Sequence, residues 1–327
     1  MKRPTRAIIL AAGLSTRLED LAKLRPKPML PICGTPLVRW AVLWLRSQGI
    51  HEIVINLHHL GQMIVDELGN GSDLGVSIVY SDEHDELLGT GGALQKARPL
   101  LDDGHNSPFV TVNGKLLIDL NVDEVFAHHQ ACKAQATMVL RPDNNADTWG
   151  RFGVDAQGNI VHFLTETRPG NNAGEPLMFT GVQILQPSFL DRIPATGPAC
   201  VIRTASQSFF HEGQGLAGFI TRDYWWEHST VERYLQGMFN VLDGKARLMH
   251  AERPLQGIDP SAQIAPTAKI YEPVWIGRNV QISPNAQIGP YVQIGDHAVI
   301  EANVCLQRAI VWERVRVRES GTNVVLT

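Results

Sequence analysis

The chain has 327 residues, which at about 150 residues per domain suggests two domains. Lys and Arg number 29 against 33 Asp and Glu, a formal net charge of −4, so no basic excess is available to hold a nucleic-acid backbone or an anionic membrane. A hydrophobic fraction of 44% excludes a disordered chain, and no apolar run approaches the roughly 20 residues of a membrane-spanning helix.

Lys2 and Arg3 before the apolar residues 7–12 imitate a secretion signal, but the run is short and leads straight into Gly13, Ser15 and Arg17. Cys33, Cys132, Cys200 and Cys305 lie far apart with no CxxC pair, against a zinc site or a disulfide framework. The expectation is a cytoplasmic protein.

Residues 7–10, 53–57, 76–80, 109–112 and 136–140 are apolar, β-branched runs of strand length. Between them, 36–47 places Leu37, Trp40 and Trp44 at helical spacing, with Pro36 suited to a first turn and Gly49 to a stop. Residues 62–68 and 93–101 also read as helices. Near-continuously apolar runs alternating with helices predict buried parallel strands in an α/β sheet. Beyond 144 the pattern is mixed, with strand-like pieces around Val154, Phe163 and 179–185, then a helix over Val231–Leu242.

From Ile258 the period becomes six. Ile258, Ile264, Ile270, Ile276, Ile282, Ile288, Ile294, Ile300 and Leu306 fall in unbroken register, and a small or β-branched residue follows each of the first eight by four places. This is the hexapeptide pattern of a parallel β-helix. Nine steps of six make three turns, and 309–327 is expected to form a last, irregular coil that caps the stack.

The first strand runs into Leu10-Ala11-Ala12-Gly13-Leu14-Ser15-Thr16-Arg17-Leu18 and then Pro26-Lys27-Pro28-Met29-Leu30-Pro31-Ile32-Cys33-Gly34-Thr35-Pro36-Leu37. Gly13 permits a tight turn that presents backbone N–H groups to an anion, and Arg17 and Lys27 add cationic donors for a polyphosphate. An ordinary strand-to-helix turn with two solvated basic residues is the plain alternative. The full string resembles the opening of the sugar-1-phosphate nucleotidyltransferase family, L-A-A-G-x-x-T-R-L followed by P-K-P-x-L-P-x-x-G-x-P-L. The resemblance continues through Glu83, Leu88-Gly89-Thr90-Gly91-Gly92, Val112-Asn113-Gly114, Phe152-Gly153-Val154, Glu166, Phe179-Thr180-Gly181 and, in part, the segment from Trp225 to Leu235. Mannose-1-phosphate guanylyltransferases and glucose-1-phosphate adenylyltransferases carry a similar hexapeptide tail.

That resemblance implies a doubly wound, mostly parallel, Rossmann-like α/β domain over 1–245 and a left-handed parallel β-helix over 255–327, the site lying at the carboxyl ends of the strands. It implies transfer of a nucleotidyl group from a nucleoside triphosphate to a sugar 1-phosphate, with guanylyl and mannose as the first choice, and a homo-oligomer built through the β-helix. Ala11, Ala12, Gly13, Ser15, Thr16, Arg17 and Lys27 would hold the triphosphate. Glu83, Gly89, Thr90 and Gly91 would face base and ribose. Asn113, Gly153, Glu166 and Thr180 would face the sugar. Mg2+ would bridge the phosphates, held in the family by two aspartates.

Both aspartates are replaced, by Lys115 and by Glu227. A glutamate remains an oxygen ligand, whereas an ammonium has three donors and no acceptor. The family's E-K-P is also altered, to Glu166-Thr167-Arg168-Pro169, with Arg168 one place further on as a substitute cation. Three readings of Lys115 are open. Its ammonium replaces part of the metal's charge; or the chain binds nucleotide as a sensor or regulatory subunit with little turnover; or Lys115 turns away and Asp119 supplies a carboxylate.

Other signals have plain explanations. The pairs His58-His59 and His128-His129 are adjacent in sequence, which sets their rings on different sides, so packing or surface roles outrank a metal. His297 lies within a repeat, where β-helix acyltransferases keep a base. No long loop builds an acyl-donor pocket here, which makes it a turn residue.

Overall fold

The computed structural model describes residues 2–172 and 174–327, and the chain falls into two compact units. The first comprises residues up to Leu14, Ala41–Gly114 and Leu120–Trp225. The second comprises Ser15–Trp40, Lys115–Asp119 and Trp226–Thr327. The residue pattern changes at 245–255, but compactness is shared out differently: the segment that follows the glycine turn is grouped with the β-helix.

The first unit is built on a ten-stranded sheet. Its strands are β1 (Arg6–Leu10), β2 (Glu52–Leu57), β3 (Ser77–Asp82), β4 (Phe109–Asn113), β5 (Ala136–Pro142), β6 (Arg151–Val154), β7 (Ile160–Phe163), β8 (Glu166–Thr167), β9 (Leu177–Leu185) and β10 (Leu216–Ile220). They run in the order β8-β7-β6-β9-β4-β1-β2-β3, with β5 pairing to β9 and β10. β1 is parallel to β2 and β4, β2 to β3, and β5 to β10. β9 is antiparallel to β4, β5 and β6, so the sheet is mixed. Apolar runs buried on both faces read alike whichever way a strand points, which is why direction was invisible in the residues of β9.

The helices Leu37–Ser47, Gly61–Leu68, Gly89–Leu101 and Val122–Ala131 join these strands. The third starts earlier than its apolar spacing indicates, at Gly89, which enters it with a positive φ of 67°. The fourth has weak apolar periodicity; Asn121 caps it by accepting the Asp123 N–H. The core joins Ile8, Val54, Phe109, Leu140, Phe152 and Phe163, with the rings of Phe152 and Phe163 edge-to-face at 5.2 Å.

In the second unit three parallel sheets stack as a β-helix. Ile258, Ile276 and Ile294 pair in register, then Ile294 pairs with Val311. The eighteen-residue step shortens in the last coil, where the repeat breaks. Ile276, Ile282, Ile288, Ile294 and Ile300 turn inward from the three sheets into its buried core. Corners fall on Asn279, Asn285, His297 and Asn303, all at positive φ. His297 is therefore a turn residue (φ 63°), in keeping with the absence of an acyl-donor loop.

The same unit folds the segment 27–36 against the β-helix. The amide of Gln293, which is fully buried, accepts the Cys33 N–H at 2.7 Å and donates to the Pro31 carbonyl at 3.1 Å. Tyr234 also donates to Pro31 O, at 2.8 Å, while its hydroxyl accepts Trp312 Nε1–H. Gly34 (φ +70°) is required here, since a Cβ would come within 2.5 Å of the Trp275 ring.

Candidate functional site

In the first unit, the carboxyl ends of β1, β2, β3 and β4 lie side by side because these strands are parallel neighbours. Ala11 N–H donates to Asn56 Oδ1 at 2.7 Å, Asn56 Nδ2 donates to Glu83 Oε1 at 2.7 Å, and Leu88 N–H donates to Glu83 Oε2 at 3.0 Å. Glu83 is only 1% exposed. Both of its oxygens are used inside the protein, so it ties the first turn to the helix that follows β3. Ala12 is buried and Gly13 exposed, and a Cβ on Gly13 would meet no atom within 4 Å.

The glycine-rich helix start is close-packed. Gly91 N–H donates to Ala199 O at 2.7 Å, and Thr90 Oγ1 accepts Val201 N–H at 3.1 Å. A Cβ on Gly89 would lie 2.8 Å from Ala199 O. These residues, expected to face base and ribose, are engaged by the 197–201 segment.

Of the residues expected to face the sugar, Asn113 is half-buried, its amide resting on Gly181, where a Cβ would come within 2.3 Å. Gly153 is buried in β6. Thr180 is fully buried and donates to Val139 O at 2.8 Å, a packing position. Exposed Glu166 pairs with His211 Nε2 at 3.0 Å and accepts from Gln207 at 3.2 Å. Arg168 donates to Phe210 O and Gly213 O at 3.0 and 3.2 Å and stacks over Phe210. Its guanidinium is thereby held against the Gln207–Glu212 helix.

The histidine pairs are packing groups. His58 donates to Glu83 O at 2.9 Å. Buried His129 donates through Nδ1 to Thr137 Oγ1 at 2.9 Å, and its Nε2 accepts from Gln186 at 3.1 Å.

The second unit holds the charge. Ser15 adopts a left-handed conformation (φ 59°), and its Oγ accepts Lys27 N–H at 2.9 Å, tying the turn to the short helix Lys27–Met29. Thr16 and Arg17 are exposed in the turn Thr16–Leu18, whereas Lys27 is 7% exposed. Burial, then the positive charges of Lys115 and Arg17, pull the Lys27 ammonium down to about 8. Lys115 Nζ lies 2.5 Å from Glu227 Oε1, with side-chain exposures of 29% and 10%. Burial pushes the Glu227 carboxyl up, but Lys115, Arg17 and Arg233 outweigh it and hold it below its ordinary value.

Both ends of that ion pair are held at the backbone. The main-chain N–H and Nδ1–H of His228 donate to Lys115 O, each at 3.3 Å, and Arg233 Nε–H donates to Glu227 O at 2.9 Å. Thr230 caps the helix Val231–Leu242 by accepting Arg233 N–H, which brings Arg233 back over Trp226. Gly237 in that helix leaves room for the His228 ring, whose Nε2 would lie 2.3 Å from a Cβ. Sequence reading missed Asn56, His228 and Arg233. Asn56 had a signal, a polar residue within an otherwise apolar run; the other two had none beyond their place beside Glu227.

The residues at 115 and 227 do not suit a divalent ion. The Glu227 carboxylate is already bound by an ammonium that has no lone pair to offer a metal. Among the described residues no group of three or more His, Cys, Asp or Glu is placed to hold a metal ion, and no helix is long and apolar enough to cross a membrane.

The bacterial transferase hexapeptide model (six repeats) matches residues 273–308. Over 194 residues the chain is 37% identical to the N-acetylmuramate alpha-1-phosphate uridylyltransferase of Neisseria meningitidis, covering 58% of this chain and 79% of that one. Over 244 residues it is 27% identical to the mannose-1-phosphate guanylyltransferase of Mycobacterium tuberculosis, covering 73% of this chain and 65%, just under two thirds, of the relative. The solved structure of HddC from Yersinia pseudotuberculosis complexed with GMP-PN shares the fold, with TM-score 0.58 and 21% identity over 72% of this chain and 99% of that one. The nucleotidyl transferase model matches residues 6–243, well over half of the chain, and the chain belongs to that family.

Proposed function

We propose that this chain transfers a nucleotidyl group from a nucleoside triphosphate to a sugar 1-phosphate, with release of pyrophosphate. The observation that carries the reading is Lys27, buried beside Arg17 and Lys115 with Glu227 as a single opposing charge among the groups that act on it. Concentrated cations in a protected position suit a polyphosphate. A sugar-phosphate oxygen bonds to the α-phosphorus as the bridge to the β-phosphorus breaks, and the electron pair leaves with pyrophosphate. Such a reaction needs positioning and charge neutralisation rather than a covalent intermediate.

In this reading Arg17 and Lys27 neutralise the transferring and leaving groups, with Lys115 beside them. Ala11, Ala12, Gly13, Ser15 and Thr16 form the triphosphate turn, and Asn113 with Glu166 faces the sugar. Because Lys115 occupies Glu227, no step is assigned to Mg2+. The division into 1–245 and 255–327, and oligomerisation through the β-helix, belong to the same proposal. The protein then works where nucleoside triphosphates are made, in the cytoplasm.

The 27% match to a mannose-1-phosphate guanylyltransferase makes GTP and mannose 1-phosphate the first pair to assay. The 37% match to a uridylyltransferase makes UTP with N-acetylmuramate 1-phosphate the second. The Lys115–Glu227 pair also suits a second reading, a chain that holds nucleotide without turning it over. Pyrophosphate release from each triphosphate with each sugar phosphate separates the two. Turnover supports transfer; binding without turnover supports the sensor; neither binding nor turnover overturns both.

A further inference from the structure

We propose that the Lys115 ammonium supplies at Glu227 the positive charge that a divalent ion supplies in an aspartate-lined nucleotide site, so that this chain binds a nucleoside triphosphate equally well with and without Mg2+. The inference rests on the phosphate-binding reading above and concerns these residues alone.

The donor set argues first. For Glu227 to become a metal ligand, an ion must displace an ammonium held at 2.5 Å from a carboxylate whose side chain is 10% exposed. Breaking such a pair leaves an uncompensated charge on a lysine that cannot itself ligate. The backbone argues second. His228 fixes the carbonyl of Lys115 and Arg233 fixes that of Glu227, so both partners are held in place before any ligand arrives. Asp119, the other carboxylate considered, has an interaction of its own.

Charge argues third. Lys115 and Arg17 act on both Lys27 and Glu227, and Arg233 also acts on Glu227, four cations against one carboxylate, which leaves three positive charges. The same Arg17, Lys27 and Arg233 beside two carboxylates and a divalent ion would also leave three. An ammonium in the protein reaches the total that otherwise requires an ion from solution, and without ordering that ion on binding.

Calorimetric titration of the full chain with GTP, UTP, ATP and dTTP, each in EDTA and in Mg2+, tests this. For the triphosphate that binds, the dissociation constants in the two buffers should agree within about threefold. Lys115→Met should weaken binding in EDTA by about tenfold, the loss of one close charge-assisted contact, and Lys115→Asp should bind only when Mg2+ is added. Far-ultraviolet circular dichroism shows whether the variants fold. A native chain that binds only with Mg2+ overturns the inference and leaves the transferase reading standing. A Lys115→Met variant as tight as the native chain in EDTA also overturns it. If no triphosphate binds in either buffer, the functional reading falls and takes the inference with it.

Discussion

The side-chain oxygen of Gln293, inside the β-helix, accepts the backbone N–H of Cys33 at 2.7 Å. Cys33 lies in the segment that begins with Lys27, so a residue of the repeat region supports the segment that carries a candidate phosphate-binding cation. Gln293→Leu keeps the volume but leaves the Cys33 N–H buried without its partner, while Pro31 O retains Tyr234. We expect a loss of about 2 kcal/mol, measured as a lower urea midpoint with unchanged slope. An unchanged midpoint would show that the contact is not formed.

Lys27 makes nucleotide binding depend on pH. Its ammonium is pulled down to about 8 by burial and by Lys115 and Arg17, and a bound polyphosphate favours the protonated form. Affinity should therefore hold below pH 8 and fall above it, by at most about tenfold per unit for one group. Lys27→Arg, which stays charged, should flatten the profile. In the free protein the sign is opposite: the charged form is the strained one, so stability rises as pH climbs from about 8 towards the ordinary lysine range.

His129 makes the fold acid-sensitive. Burial, then the charge of His128, lowers its imidazole to about 4. Below the ordinary histidine value the unfolded chain takes up a proton that the native chain refuses until about pH 4. Stability contributed above pH 6.5 is therefore lost on acidification through that window, on the order of 3 kcal/mol. Thermal melts from pH 7 to pH 4.5 should fall more steeply for the native chain than for His129→Gln; equal slopes would remove His129 as the cause.

Glu83→Gln should destabilise the first unit. The carboxylate accepts from both Asn56 and Leu88, whereas an amide offers one oxygen and turns an NH2 towards a donor. A cost of about 2 kcal/mol is expected, read from the melting temperature. Glu83→Ala should cost no less, because both donors are then abandoned.

Much of the architecture was legible because it is written in periods. The sixfold isoleucines from Ile258 to Ile300 fit a three-sided coil, in which every third one stacks on the same face and all turn inward. The runs at β1, β2 and β4 are too apolar to lie outside a sheet. The direction of β9 was not legible, because a strand buried on both faces carries no mark of orientation. The helix Val122–Ala131 was hidden by its weak periodicity, although its cap at Asn121 was in view.

The residues alone determined that one stretch of this chain collects Arg17 and Lys27 after a glycine turn, and that position 115 carries a further cation. Which groups those cations meet was decided by tertiary structure. Lys115 and Glu227 stand more than a hundred positions apart, yet their ion pair closes because His228 and Arg233 hold the two backbones. Arg168, suggested by sequence as a substitute cation, finds the carbonyls of Phe210 and Gly213. Side-chain chemistry states what a residue offers, while the partner it finds depends on which distant backbone the fold brings within hydrogen-bonding reach, and no local pattern encodes that.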